Sequence, residues 1–81
     1  MRVDKFLNAV NITKRRTISE DMCRSGVVSI NGMIVKASKD VKVGDKISIK
    51  FITKTDEYEV LAIPTTKNIP KNLQSEFIKK I

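Results

Sequence analysis

Only one cysteine, Cys23, stands in this 81-residue sequence, and histidine is absent. One thiol cannot build a disulfide framework, and without histidine there is no zinc-finger spacing and no imidazole for acid–base work. The three glycines read as turn residues, so there is no Gly-rich phosphate loop, and neither G-x-S-x-G nor H-E-x-x-H occurs. Asp4 with Glu20 and Asp21, or Asp40 with Asp45, read as caps, turns or surface residues, because no apolar cleft is apparent to raise a carboxyl pKa. No catalytic residue, cofactor or metal site is therefore expected. Tryptophan is missing, and Phe6, Phe51 and Tyr58 fall on expected core faces, which argues against stacking bases on an exposed aromatic sheet. No run approaches the ~20 apolar residues of a membrane span. No apolar h-region follows Met1-Arg2-Val3-Asp4, so no secretory signal is expected and the cytoplasm is the expected compartment.

What is present is positive charge. Sixteen Lys and Arg face nine Asp and Glu, a net of +7. Residues 1–50 hold 11 basic and 5 acidic side chains, residues 51–81 only 5 and 4. A basic excess gathered in one part of the chain is the electrostatic footprint of a nucleic-acid binder. A membrane surface is disfavoured, since no long basic amphipathic helix with bulky apolar anchors is present.

The excess centres on residues 13–32. Thr13 is placed to cap a helix whose first turn would hold Lys14, Arg15 and Arg16. Cations at that end oppose the helix dipole, at about 0.3–1 kcal/mol each, whereas the free N–H groups there suit phosphate. A bound polyanion would offset the repulsion; the bland alternative is a solvated face. Ile18 and Met22 are expected to share a face with the small Ser19 and Cys23 beside them, with Cys23 serving helix packing. Gly26 fits a left-handed helix end, and Val27, Val28 and Ile30 lead into the hairpin signal Asn31-Gly32.

Ahead of this stretch, Val3, Phe6, Leu7 and Val10 have the spacing of a short amphipathic helix, with Asn11 able to end it. Asp4 stands near its start as a structural anchor, able to hold an arginine in a charge-assisted pair. After the hairpin come a loop at 37–40, the turn Gly44-Asp45, an alternating strand through Ile47, Ile49 and Phe51, a turn at Thr53 to Asp56, and a strand through Tyr58, Val60 and Ala62. Residues 64–70 read as a proline-extended linker. Asn72 is expected to cap a last helix bearing Leu73, Phe77 and Ile81, docked on its own domain or folded against a partner.

The runs M-R-V-D-K-F-L, K-R-R-T and G-V-V-S-I-N-G, then V-G-D before an alternating strand, resemble the S4-type RNA-binding domain over residues 1–52. Chain length and the opening motif are most similar to its free-standing bacterial members, in heat shock and in ribosome-associated quality control. The resemblance implies an α+β fold, two helices packed in an L on a small bent antiparallel sheet; the S4 domain is expected at 1–63, and residues 64–81, for which the resemblance implies nothing, read as a linker and short C-terminal helix. It implies RNA contacts by Arg2, Lys5 and Arg16, with Lys14 and Arg15 as neighbours and Lys36 and Lys39 as a rim. Ser19 departs from the usual small apolar residue and is expected to weaken helix packing slightly.

The function implied is non-catalytic: a monomer docking on the large ribosomal subunit, against 23S rRNA and peptidyl-tRNA, and supporting alanine tailing of stalled chains beside a quality-control elongation factor. The alternatives are a general large-subunit recycling factor of the heat-shock type, a detached guiding module of an RNA-modifying enzyme or synthetase, and a basic protein-interaction module.

Overall fold

The computed structural model describes residues 1–66 and 68–81. Helix α1 (Val3–Ala9) forms where the apolar spacing places it, and Val3, Phe6, Leu7 and the following Val10 are wholly buried. It stops at Asn11, whose φ of 64° is left-handed. There the Asn11 amide donates to the Asn8 carbonyl and the Ile12 amide to the Leu7 carbonyl, which satisfies carbonyls the ended helix leaves free. Helix α2 (Arg16–Arg24) ends the same way at Gly26, φ 76°, with the Val27 amide reaching back to the Met22 carbonyl.

Five strands follow: β1 (Val28–Ile30), β2 (Met33–Ile34), β3 (Lys46–Lys50), β4 (Thr55–Val60) and β5 (Ile78–Lys80). They make one antiparallel sheet in the order β2-β1-β3-β4-β5. Asn31 and Gly32 both take positive φ, 53° and 85°, the geometry of a tight hairpin turn whose twist matches its strands. Val28, Ile30, Ile47, Ile49, Val60 and Ile78 present the sheet's inner face to α1 and Cys23. The expected α+β class, helices on a small antiparallel sheet, is what the chain adopts.

Four local expectations are corrected. First, Ile18 is 43% exposed, and the inner stripe of α2 is Ser19 and Cys23. Small side chains let α2 sit close on α1, and the larger Ile18 is turned outwards. Second, Phe51 lies past the end of β3 and is 42% exposed. Its amide donates to the Lys54 carbonyl at 2.7 Å, so the hairpin turns at 51–54 and Thr55 and Asp56 already belong to β4. Third, the 64–70 segment, read as an extended linker, is also tied to α1. Pro64 and Ile69 are buried, the Ile69 amide donates to the Ala9 carbonyl, and the Asn11 side chain donates to the Ile69 carbonyl at 2.7 Å; Lys67 of that segment lies outside the described residues.

Fourth, the helix expected over 72–81 is cut short. Lys71–Leu73 make a 3₁₀ turn entered from Pro70, not capped by Asn72, and α3 (Gln74–Phe77) is a single turn. Ile78 then enters the core, 5% exposed, while its backbone pairs with Val60. The four-residue recurrence of Leu73, Phe77 and Ile81 lost to sheet pairing: β5 covers an edge that β4 would otherwise expose. Among the described residues no helix is long and apolar enough to cross a membrane.

Candidate nucleic-acid interface

Asp4 is completely buried, and its carboxylate is satisfied from three directions. The Lys5 amide donates to Oδ1 at 2.8 Å, Arg2 lies 3.3 Å away, and Arg16 Nε lies 3.5 Å from Oδ2. Burying a lone carboxylate is costly, and paired guanidinium groups remove that cost. Arg2 precedes α1 and Arg16 opens α2, so one carboxylate clamps the starts of both helices. Both arginine side chains remain nearly half exposed, at 47% and 45%. Each guanidinium carries five N–H donors in a fixed plane and uses only part of them on Asp4. Arg16 also pairs with Glu20 at 3.6 Å, and both side chains, so held, remain open to a partner.

The two helix starts differ. At α1 the chain supplies its own acceptors: the Val3 amide donates to the Lys39 carbonyl at 2.7 Å and the Asp4 amide to the Ala37 carbonyl at 3.4 Å. The amides of α1 are thus spent internally. At α2 the N-cap position is Arg15, extended at φ −138° and ψ 144°, and no side chain caps the helix. Thr13 does not cap it, contrary to expectation. It is buried, and its hydroxyl is hydrogen-bonded to the hydroxyl of buried Ser19. Of the three expected first-turn cations only Arg16 is helical; Lys14 and Arg15 stand just before it, exposed. Ser19, expected to weaken the packing, is fully enclosed and has its polar partner inside.

The other expected cations are placed as follows. Lys5 is exposed on α1 immediately after Asp4. Lys36 and Lys39 are exposed on the loop whose carbonyls close the start of α1, and Lys36 shares a cleft with Arg2. The structure joins Arg2 and Arg16 directly through Asp4; among the described residues no ion pair ties Lys5, Lys14, Arg15, Lys36 or Lys39 to them. Glu20, read from the sequence as a cap, turn or surface residue, and Arg24, to which the sequence assigned no site role, stand on the same face. Glu20 lies 3.6 Å from Arg16, and Arg24 borders the cleft with Arg2 and Lys36. Their signal was in the spacing: Arg16, Glu20 and Arg24 recur every four residues and so share one helix stripe. Cys23 lies between them, its thiol pushed up to about 11 by burial and by the negative charge of Asp4. At neutral pH it is a protonated packing group.

Fold and site define a small α+β module that presents a basic face from the starts of two short, clamped helices. Residues 1–47 match the S4 domain, and the chain belongs to the S4 domain family. It is 49% identical over 71 residues to the RQC P-site tRNA stabilizing factor of Helicobacter pylori, covering 88% of this chain and 84% of the relative. A solution structure of a hypothetical protein, 44% identical, superposes with a TM-score of 0.87 over 100% of this chain and 96% of that one. The trimeric structure of Vibrio cholerae heat shock protein 15 shares the fold with a TM-score of 0.90, at 23% identity, over 100% of this chain and 81% of that one.

Proposed function

We propose that this protein is a non-catalytic, cytoplasmic RNA-binding factor that docks as a monomer on the large ribosomal subunit when it carries peptidyl-tRNA. There it would contact the backbones of 23S rRNA and tRNA and support alanine tailing of stalled nascent chains by an elongation factor. The observation that carries the reading is the clamp at Asp4, which fixes two outward-facing guanidinium groups from two different helices. Arginine held in a plane is suited to phosphate, and two helix starts can meet two backbones at once. Lys5, Lys14, Arg15, Lys36 and Lys39 add charge around them. The similarity to a relative named for stabilising P-site tRNA in quality control points the same way.

Size sets the selectivity problem. A single nucleic-acid-binding module buries roughly 600–1,000 Å². Phosphate contacts alone over such an area would hold any RNA at nonspecific strength. Engaging rRNA and tRNA together makes the second contact intramolecular, which raises the effective concentration without new chemistry. Co-sedimentation with large subunits, with and without peptidyl-tRNA at fixed salt, tests this. Preference for the tRNA-bearing subunits is expected, and it should vanish once the tRNA is released. Equal binding to both would favour the recycling-factor reading, and no binding to either would remove the ribosome.

A further inference from the structure

We propose that the cleft beside Cys23 is a slot for a single unpaired guanosine nucleotide of the bound RNA, an inference that rests on the RNA-binding reading above. The cleft, about 460 Å³, is bordered by Arg2, Glu20, Cys23, Arg24, Lys36 and Ala37. That volume lies within the roughly 300–1,000 Å³ of small-molecule sites. Its lining includes the buried Cys23 and the half-buried Ala37 as apolar groups, with Arg2, Arg24 and Lys36 exposed.

The carboxylate decides the ligand. Glu20 steadies Arg16, yet within the cleft its charge would repel a bare phosphate. A guest that suits the whole lining has an anionic part for Lys36 and for the donors that Arg2 and Arg24 do not spend on Asp4 and Asp21, an apolar face for Cys23 and Ala37, and N–H donors for Glu20. A nucleotide has all three. Unpaired bases are commonly read on their edges and stacked on guanidinium planes, and Arg24 and Arg2 supply such planes. Glu20 Oε1 forms an i,i+4 ion pair with Arg16 Nε at 3.6 Å, longer than a hydrogen bond, and the carboxylate keeps lone pairs with which to accept from a guest. Among the four bases only guanine sets two N–H donors side by side, at N1 and N2, to match two carboxylate oxygens. The slot would add base readout to a face otherwise built for phosphates.

Fluorescence anisotropy with hairpin RNAs of one stem, carrying a single bulged guanosine, inosine, adenosine or uridine, tests the slot at fixed ionic strength. The guanosine bulge should bind about tenfold tighter than adenosine or uridine, the discrimination of one good bidentate pair. Inosine, which lacks the N2 amino group, should lose most of that advantage. Glu20→Gln should erase the guanosine preference across the same series. Equal, salt-sensitive binding of all four bulges would overturn the slot while leaving the RNA-binding reading intact. A guanosine preference that survives Glu20→Gln would also overturn it, and failure to bind any of the RNAs would overturn both.

Discussion

Asp4 and Asp56 each hold two cations, and the difference between them separates the two halves of the molecule. Asp4 is fully buried and takes two arginines, Arg2 and Arg16, from the starts of two helices. Asp56 is 13% exposed and takes two lysines, Lys54 and Lys80, each at 3.6 Å, from the hairpin turn and the last strand. Around Asp56 charges balance: Glu59 stands between Lys46 and Lys79 across the sheet, and Glu57 accepts from Ser48. Around Asp4 they do not, because Lys5, Lys14, Arg15, Lys36 and Lys39 surround the clamp without ion-pair partners among the described residues. The balanced side holds a sheet together. The unbalanced side keeps two guanidinium groups held by Asp4 and leaves the surrounding cations exposed, which suits an anionic partner.

The sharpest test of the balanced side is its apolar anchor. Ile78→Ala should cost about 2–4 kcal/mol of unfolding free energy, because it empties a core position that holds β5 on the sheet. Denaturant unfolding would show it, and a loss below about 1 kcal/mol would mean the tail is not part of the cooperative unit. On the other side, Asp4→Ala should cost about 1–3 kcal/mol. It removes the acceptor for the Lys5 amide and releases two arginines, although both can turn to water. Asp56→Ala should fall near 0–1 kcal/mol, since its lysines are already well exposed. Equal losses would mean that burial does not set the two aspartates apart.

An effect between those of the two aspartates concerns the pair inside the helix junction. Ser19→Ala should cost about 1–2 kcal/mol by leaving the Thr13 hydroxyl buried without its partner. Thr13→Val combined with Ser19→Ala should recover most of that loss in the same melt. Smallest is the alkaline dependence. The folded Cys23 pKa is raised to about 11, so between the ordinary thiol range and that value the folded state holds a proton the unfolded chain has released. Stability should therefore decline with rising pH across that window, and the decline should be shallower in Cys23→Ala. A slope unchanged by that substitution would show that Cys23 contributes nothing to it.

Periodicity in the sequence was enough for α1, the Asn31-Gly32 hairpin, and the left-handed ends at Asn11 and Gly26, because each is decided by neighbours a few residues apart. Asp4 as an anchor was legible for the same reason, with Arg2 adjacent. Arg16 as its second partner was not, since that contact exists only once α2 has packed on α1. Thr13 looked like a cap because its local chemistry allows one; burial beside Ser19 overrode it. The tail misled most, as a helical pattern of three residues cannot compete with pairing to β4. Glu20 and Arg24 were readable from their spacing to Arg16, but only if the stripe is followed down the helix rather than stopped at its first turn.

If the unbalanced face at Asp4 neutralises phosphates, binding must weaken steeply as salt rises. The most direct measurement is RNA affinity against salt concentration, for the unmodified protein and for Arg16→Ala. If Arg2, Lys5, Lys14, Arg15 and Arg16 neutralise about five phosphates, the log–log slope should be roughly −4. Arg16→Ala should weaken binding and flatten the slope by about one, with the fold retained. A slope near zero, or one that Arg16→Ala leaves unchanged, would contradict the account.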